Sequence, residues 1–401
     1  MSKHRRKTVQ GEKGIIYFDN AATSYPKPRS VFEAMEEHFF DIGASPGRSG
    51  HRLALAASRI IMGVREELAA LLGVNDPLDI VLTKNVTEAL NIAAFGLLKA
   101  GDNVVTTAME HNSVIRPLRE LEAKGVEVSV VPCSLLGKLD WEAFIGALKP
   151  NTKAIFMQHI SNVTGGMMPI AEVGKIAQAK GIVFIVDGAQ SAGAIPIDLQ
   201  KSNVDIFAFT GHKSLLGPQG TGGFYIRKGL ASKMSHFACG GTGSRSEYEV
   251  HPDFLPDKFE AGTPNTIGFA GLLGALRFLA QEGIANIRAH EEELTRVFSA
   301  GLEGIEGVSI YGNLDATSKA ALVSFNIDGV SPSEAALILD EEFGIMTRVG
   351  LHCAPLAHRS IGTFPIGTLR FSFGYFNTLA EIHQGLRAIA EIADRFKRAT
   401  F

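Results

Sequence analysis

Between residues 79 and 227 the sequence switches back and forth between two kinds of pattern. Short apolar or β-branched runs come first: "DIVLTK" (79–84), "NVVTTA" (103–108), "EVSVVP" (127–132), "KAIFMQ" (153–158), "IVFIVDG" (182–188), "DIFAFT" (205–210) and "GGFYIR" (222–227). Between most of them lie helical patterns, "TEALNIAAFGLLKA", "NSVIRPLRELEAKG" and "IAEVGKIAQAKG", the first two opened by Thr87 and Asn112 and the last closed by Gly181. Several runs lack polar alternation, as strands covered on both faces do. Strand and helix in alternation predict an α/β fold whose large domain holds a mostly parallel seven-stranded sheet sandwiched by helices. Ligands bind beyond the carboxyl ends of such strands.

After Gly262 the texture changes. "TPNTIGFAGLLGALRFLAQEG" predicts a long helix with Pro264 in its first turn and Gly283 at its end, and "IRAHEEELTRVFSAGLEGI" predicts a second. The segments "ALVSFNID", "SEAALILDEEFG" and "TLRFSFG" and a last helix then describe a smaller α+β domain. A chain of 401 residues exceeds one ordinary core. The expected division is a tail at 1–15, a large domain at 16–262 whose first residues pack on the small one, and a linking helix plus small domain at 263–401.

Composition excludes several classes. With 20% charged residues and a formal net charge of −3, nothing attracts nucleic acid or an anionic membrane surface. No apolar run reaches the roughly 18 residues of a membrane span, and no apolar core follows the basic start "MSKHRRK", so a cytoplasmic protein is expected. The three cysteines, Cys133, Cys239 and Cys353, are far apart and form no CxxC, which predicts neither a disulfide framework nor a metal site.

From Ile206 to Ile226 the only fixed charge is Lys213, just past an apolar strand; Asp187 ends another strand 26 residues earlier (213 − 187). Two such charges can form a structural ion pair, or can flank a ligand. A desolvated lysine has a lowered pKa and forms a Schiff base with an aldehyde, and an aspartate facing a pyridine nitrogen keeps it protonated. Together they suit pyridoxal 5′-phosphate. Its phosphate needs donors: Asn85, Val86 and Thr87 lie where a strand gives way to a helix, and Thr210 and His212 flank the lysine. His111 stands at another strand-to-helix turn, placed to stack on a ring, while Asn162 and Gln190 offer amide donors.

The motifs "DNAAT", "TEALN", "EHNS", "SNVTG", "VDGAQS", "GHKSLLGPQGTG", "EAGTPNT", "GLHCAP" and "LRFSFGYFNT" occur in this order over residues 17–378. In this the chain resembles the class V aminotransferase group of fold-type-I pyridoxal-phosphate enzymes, and within it the cysteine desulfurases and selenocysteine lyases. The resemblance implies Lys213 as the Schiff-base lysine, Asp187 on the pyridine nitrogen, His111 on the ring, Gln190 near the ring oxygen, and Val86, Thr87, Thr210 and His212 at the phosphate. It implies a homodimer in which Thr263 reaches the phosphate of the other subunit. Arg370 and Asn162 hold the substrate carboxylate in the family's pattern, with Ala21, Arg48 and His51 edging the substrate cavity.

Cys353 separates the possible reactions. A free cysteine is commonly a small buried hydrophobe, but this one lies in a Gly- and Pro-flanked loop beside His352, whose imidazole is expected to favour the thiolate. In the family this position attacks substrate sulfur, which implies conversion of L-cysteine to L-alanine with a persulfide left on Cys353. The short "GLHCAP" loop implies a separate sulfur-acceptor protein. Selenocysteine lyase, aminotransferase and kynureninase-like chemistry are the alternatives. Cys133 and Cys239 are expected to be structural.

Overall fold

The computed structural model describes residues 14–47 and 50–399, so Arg48 lies outside the described residues. All seven strand runs appear: β2 (Ile80–Thr83), β3 (Asn103–Thr107), β4 (Glu127–Val131), β5 (Thr152–Gln158), β6 (Val183–Asp187), β7 (Ile206–Thr210) and β8 (Gly222–Ile226); a short strand, β1 (Ile16–Tyr17), precedes them. They form one sheet in the order β2-β8-β7-β6-β5-β3-β4. The β3–β4, β3–β5, β5–β6 and β6–β7 pairs are parallel, while β8 runs antiparallel to both β7 and β2. No crossover helix separates β7 from β8, so the chain turns back beside the strand it has just left. Every residue of β2, β3, β7 and β8 is buried, the reason those runs carry little polar alternation.

Helix starts differ slightly from expectation. Asn85, not Thr87, caps Val86–Leu97, its side chain accepting the Glu88 N–H at 2.9 Å. His111 caps Asn112–Glu122, and Asn265 caps Thr266–Glu282, so Pro264 lies before the helix rather than in its first turn. Each cap is a polar side chain one or more residues away from the expected opening. Gly222 lets the first of these helices sit close to the sheet: a Cβ there would meet the Asn85 Cα at 2.7 Å. The helix Ile284–Glu303 follows Gly283 at an 81° bend, and no described helix is by itself long and apolar enough to cross a membrane.

Beyond it, β9 (Val308–Tyr311), β10 (Leu322–Ile327), β12 (Arg348–Gly350) and β13 (Thr368–Ser372) make an antiparallel sheet in the order β12-β13-β10-β9. β1 pairs in parallel with β11 (Ile345–Met346). Ile16 and Phe18 are buried with Leu294, Phe298, Phe325 and Phe371 in one apolar cluster, Phe18 meeting the Phe371 ring at 5.1 Å. The start of the described chain is therefore part of the C-terminal core, and residues 19–27 run from there to the carboxyl ends of the large sheet.

Candidate active site

A cavity of about 330 Å³ opens at the carboxyl ends of β5, β6 and β7 and is closed on its far side by β12 and β13. Asp187, the last residue of β6, is buried, and its carboxylate accepts the Ala189 N–H at 2.9 Å. Burial pushes its carboxyl up, against the pull of that bond and of Lys213. Lys213 stands on the turn after β7. Burial pushes its amine down to about 8, Asp187 opposing and Arg370 and Arg348 adding to the shift. The structural ion pair allowed by the sequence does not form: Asp187 takes a backbone donor instead, leaving both groups facing the cavity.

Behind Asp187 lies Glu110, fully buried. It accepts from the Thr107 hydroxyl at 2.6 Å and from the N–H of Gln158, the residue paired with Asp187 across β5 and β6, at 2.8 Å. Burial raises its carboxyl to about 8. His111 has its Nδ1 engaged as acceptor of the Ser113 N–H at 3.0 Å, so Nε2 carries the proton of the neutral ring. Burial first, then Lys213 and nearby arginines, hold that ring down to about 4.

At one end of the cavity are Val86 and Thr87, in the first turn of their helix, with Thr210 and His212. Thr87 and Ser113 share a hydroxyl hydrogen bond of 2.8 Å, and His212 keeps a buried Nδ1 with no partner among the described residues. Free N–H groups of a helix start, two threonine hydroxyls and an unpartnered imidazole nitrogen match a phosphate's acceptors. At the other end Arg370, on β13, is fully buried. It donates to the Asn162 carbonyl at 3.0 Å and to Asp19 at 2.8 Å, while its Nε and the Asn162 Oδ1 lack protein partners. Gln190 donates to the Ala21 carbonyl at 2.9 Å beside them. A lysine, a buried aspartate, a neutral histidine, a helix start with its hydroxyls and a buried guanidinium thus line one cavity. The residues present fit pyridoxal 5′-phosphate.

Cys353 is exposed on the loop after β12. His352 and Cys353 both hold left-handed backbone, at φ 47° and 58°. Such positions cost on the order of 1–3 kcal/mol each for residues with a Cβ. Three bonds hold the turn against that cost. Asn112 N–H donates to the Cys353 carbonyl at 2.7 Å, the Asn162 amide to the His352 carbonyl at 2.7 Å, and Ala354 N–H to Leu351 at 2.8 Å. The expected role of His352 does not survive. Its ring is buried against Thr368 and pushed down to about 2, chiefly by burial, so it is neutral and brings no positive charge to the thiol.

Two other expected residues lie apart from this cavity. Thr263 lines a separate hollow of about 610 Å³ with Thr242, Asp257 and Glu260, and His51 is an exposed cap on the helix Arg52–Leu72. Sequence reasoning gave no role to Asp19 or to Arg348. Asp19 lies inside "DNAAT" and binds Arg370; Arg348 lines the cavity and lies opposite Arg370 in the β12–β13 register. A polar residue at a strand end five positions before the cysteine was the available signal for Arg348.

Comparison with known proteins follows the same outline. Residues 16–384 match the family described as Aminotransferase class-V. A probable cysteine desulfurase of Methanothermobacter thermautotrophicus is 37% identical over 383 residues, 94% of each chain. One from Pyrococcus abyssi is 34% identical over 96% of each. The apo structure of a cysteine desulfurase from Thermococcus onnurineus NA1 superimposes with a TM-score of 0.88 at 36% identity, covering 95% of both chains. That of the Escherichia coli cysteine desulfurase CsdA, in an S-sulfonic acid form, gives 0.84 at 30% identity, covering 96% of this chain and 95% of the other.

Proposed function

The chain belongs to the class V aminotransferase family, and from that premise we infer that it is a cysteine desulfurase which converts L-cysteine to L-alanine and takes the sulfur onto Cys353. The observation that carries this reading is the joint position of Lys213, Asp187 and Arg370 around one cavity, with the Cys353 turn tied to the residue after His111. Val86, Thr87, Thr210 and His212 would hold the phosphate of pyridoxal 5′-phosphate, Asp187 would face its ring nitrogen and Lys213 would bind its aldehyde. When bound, the cofactor supplies an electron-withdrawing ring that stabilises negative charge at the substrate Cα.

The chain's own groups do the rest. Arg370 and Asn162 orient the substrate carboxylate, the guanidinium by its planar fork. Lys213, with an amine near 8, is matched to removing the Cα proton at neutral pH and returning a proton to the product. His111, neutral, would cover the cofactor ring and has its Nε2–H free to donate. The Cys353 thiolate attacks the substrate sulfur: an S–S bond forms, the carbon–sulfur bond breaks with its electron pair staying on the carbon side, and the β-carbon gains a proton so that the fragment leaves as alanine. Three bonds hold the backbone of the Cys353 turn, and the exposed thiol is open to an acceptor protein or a small thiol that removes the sulfur. A second copy of the chain supplies Thr263 across a dimer interface.

The test is alanine and sulfide release from L-cysteine with dithiothreitol, for wild type and Cys353→Ala, repeated with L-selenocysteine. Wild type should release both products and the variant should fail on cysteine. Full activity of Cys353→Ala would make the thiol a bystander. A wild type that acts on selenocysteine alone would make the enzyme a selenocysteine lyase.

A further inference from the structure

The turn that carries Lys213 is held from outside the cavity by residues 23–27. Ser24 N–H donates to the His212 carbonyl at 3.0 Å, the Thr23 hydroxyl to the same oxygen at 3.1 Å, and the Ser24 hydroxyl to the Lys213 carbonyl at 2.9 Å. The Lys27 ammonium also donates to the His212 carbonyl, at 2.8 Å, and to the Ser24 hydroxyl at 2.6 Å. The His212 carbonyl has two lone pairs, so neutral donors already satisfy it before the lysine arrives. Lys27 is half-buried, and among the described residues no carboxylate pairs with it. Placing a cation there is costly unless the contact serves a purpose.

The geometry supplies the purpose. The His212 and Lys213 carbonyls belong to the two peptide units on either side of the Lys213 Cα. Fixing both planes fixes the direction in which the Cα–Cβ bond leaves the backbone, and so the arc the amine can sweep. A charge-assisted hydrogen bond is roughly twice as strong as a neutral one. We propose that Lys27 is a positioning residue for Lys213: its ammonium, seated on the His212 carbonyl, holds the peptide plane that aims the Lys213 side chain into the cavity. The assignment rests on Lys213 as the cofactor-bearing base. Lys27 itself does not line the cavity, so its effect falls on turnover and not on substrate binding.

The test compares Lys27→Met, Lys27→Gln and Lys27→Arg in the cofactor-loaded enzyme. Lys27→Met should lower kcat for L-cysteine about tenfold with KM within about twofold. Amide exchange in the peptide 211–217 should quicken while the rest of the sheet is unchanged. Lys27→Arg, which keeps charge and donors, should restore most of kcat, and Lys27→Gln should fall between. If Met folds poorly, the Gln and Arg variants carry the comparison. Wild-type kcat and exchange in Lys27→Met, or an Arg variant as impaired as Met, would overturn the proposal. Failure of borohydride to fix the cofactor on the Lys213 peptide of wild type would instead remove the premise, and both readings with it.

Discussion

The backbone N–H of Asn112 donates to the carbonyl of Cys353 at 2.7 Å. This bond joins the turn that caps a helix of the large sheet with His111 to a loop from the opposite side of the cavity. The backbones that carry His111 and Cys353 are thereby held together by a main-chain bond. The backbone that carries Cys353 is thus tied to the large sheet, while its side chain is exposed.

Arg370→Lys should raise KM for L-cysteine. The guanidinium is held flat between the Asn162 carbonyl and Asp19, and an ammonium cannot reproduce two bonds from one planar group. The expected rise is roughly thirtyfold, about 2 kcal/mol, with a smaller change in kcat. Alanine formation across a range of cysteine concentrations reads it directly. An unchanged KM would remove Arg370 from the carboxylate.

Glu110 should leave a mark on stability against pH. Its carboxyl is raised by burial from 4.5 to about 8 in the folded protein. Below about 4.5 both states hold the proton. Between there and about 8 only the folded state does, so stability falls as pH rises through this window and levels above it. Glu291, also raised to about 8 by burial, adds to the same slope. Glu110→Gln should therefore melt with a flatter dependence from pH 5 to 8 than wild type. Parallel melting profiles would show that the Glu110 charge state does not differ between folded and unfolded chains.

Lys319 is fully buried and its amine has no hydrogen-bond partner among the described residues. Burial lowers that amine to about 8 from 10.5. Replacing it by methionine keeps the volume and removes the charge. The variant should gain on the order of 1–3 kcal/mol at neutral pH. The wild type recovers part of the difference as pH rises from about 8 to 10.5, because only the unfolded state then binds the proton. Urea unfolding at pH 7 and pH 10 checks both. A variant less stable than wild type at pH 7 would mean that a polar group satisfies Lys319.

How far the sequence reached depends on the kind of contact involved. The edge strand β4 is only partly buried and stood out by its valines, whereas strands such as β7 and β8 were legible because burial on both faces leaves continuous apolar runs. Lys213 and Asp187 stood out for the same reason, as charges where such runs end. The helix starts slipped by a residue or two because an asparagine or histidine cap looks like any polar loop residue. Asp19 could not be found from local pattern: its partner is 351 positions away. The neutrality of His352 was equally hidden, since burial by distant segments decides it and not the neighbouring cysteine.

The pairing of Ile16 with Ile345 fixes an order of events during synthesis. As the nascent chain emerges, the seven strands through Ile226 and the lysine turn are complete while Ile16 and Phe18 still have no apolar partners, since the other members of their cluster begin at Leu294. Asp19 meets Arg370, and the Cys353 carbonyl meets the Asn112 N–H, only once the last third has been translated. A chain that ends after Ile226 therefore carries Lys213 and Asp187 but neither Arg370 nor Cys353.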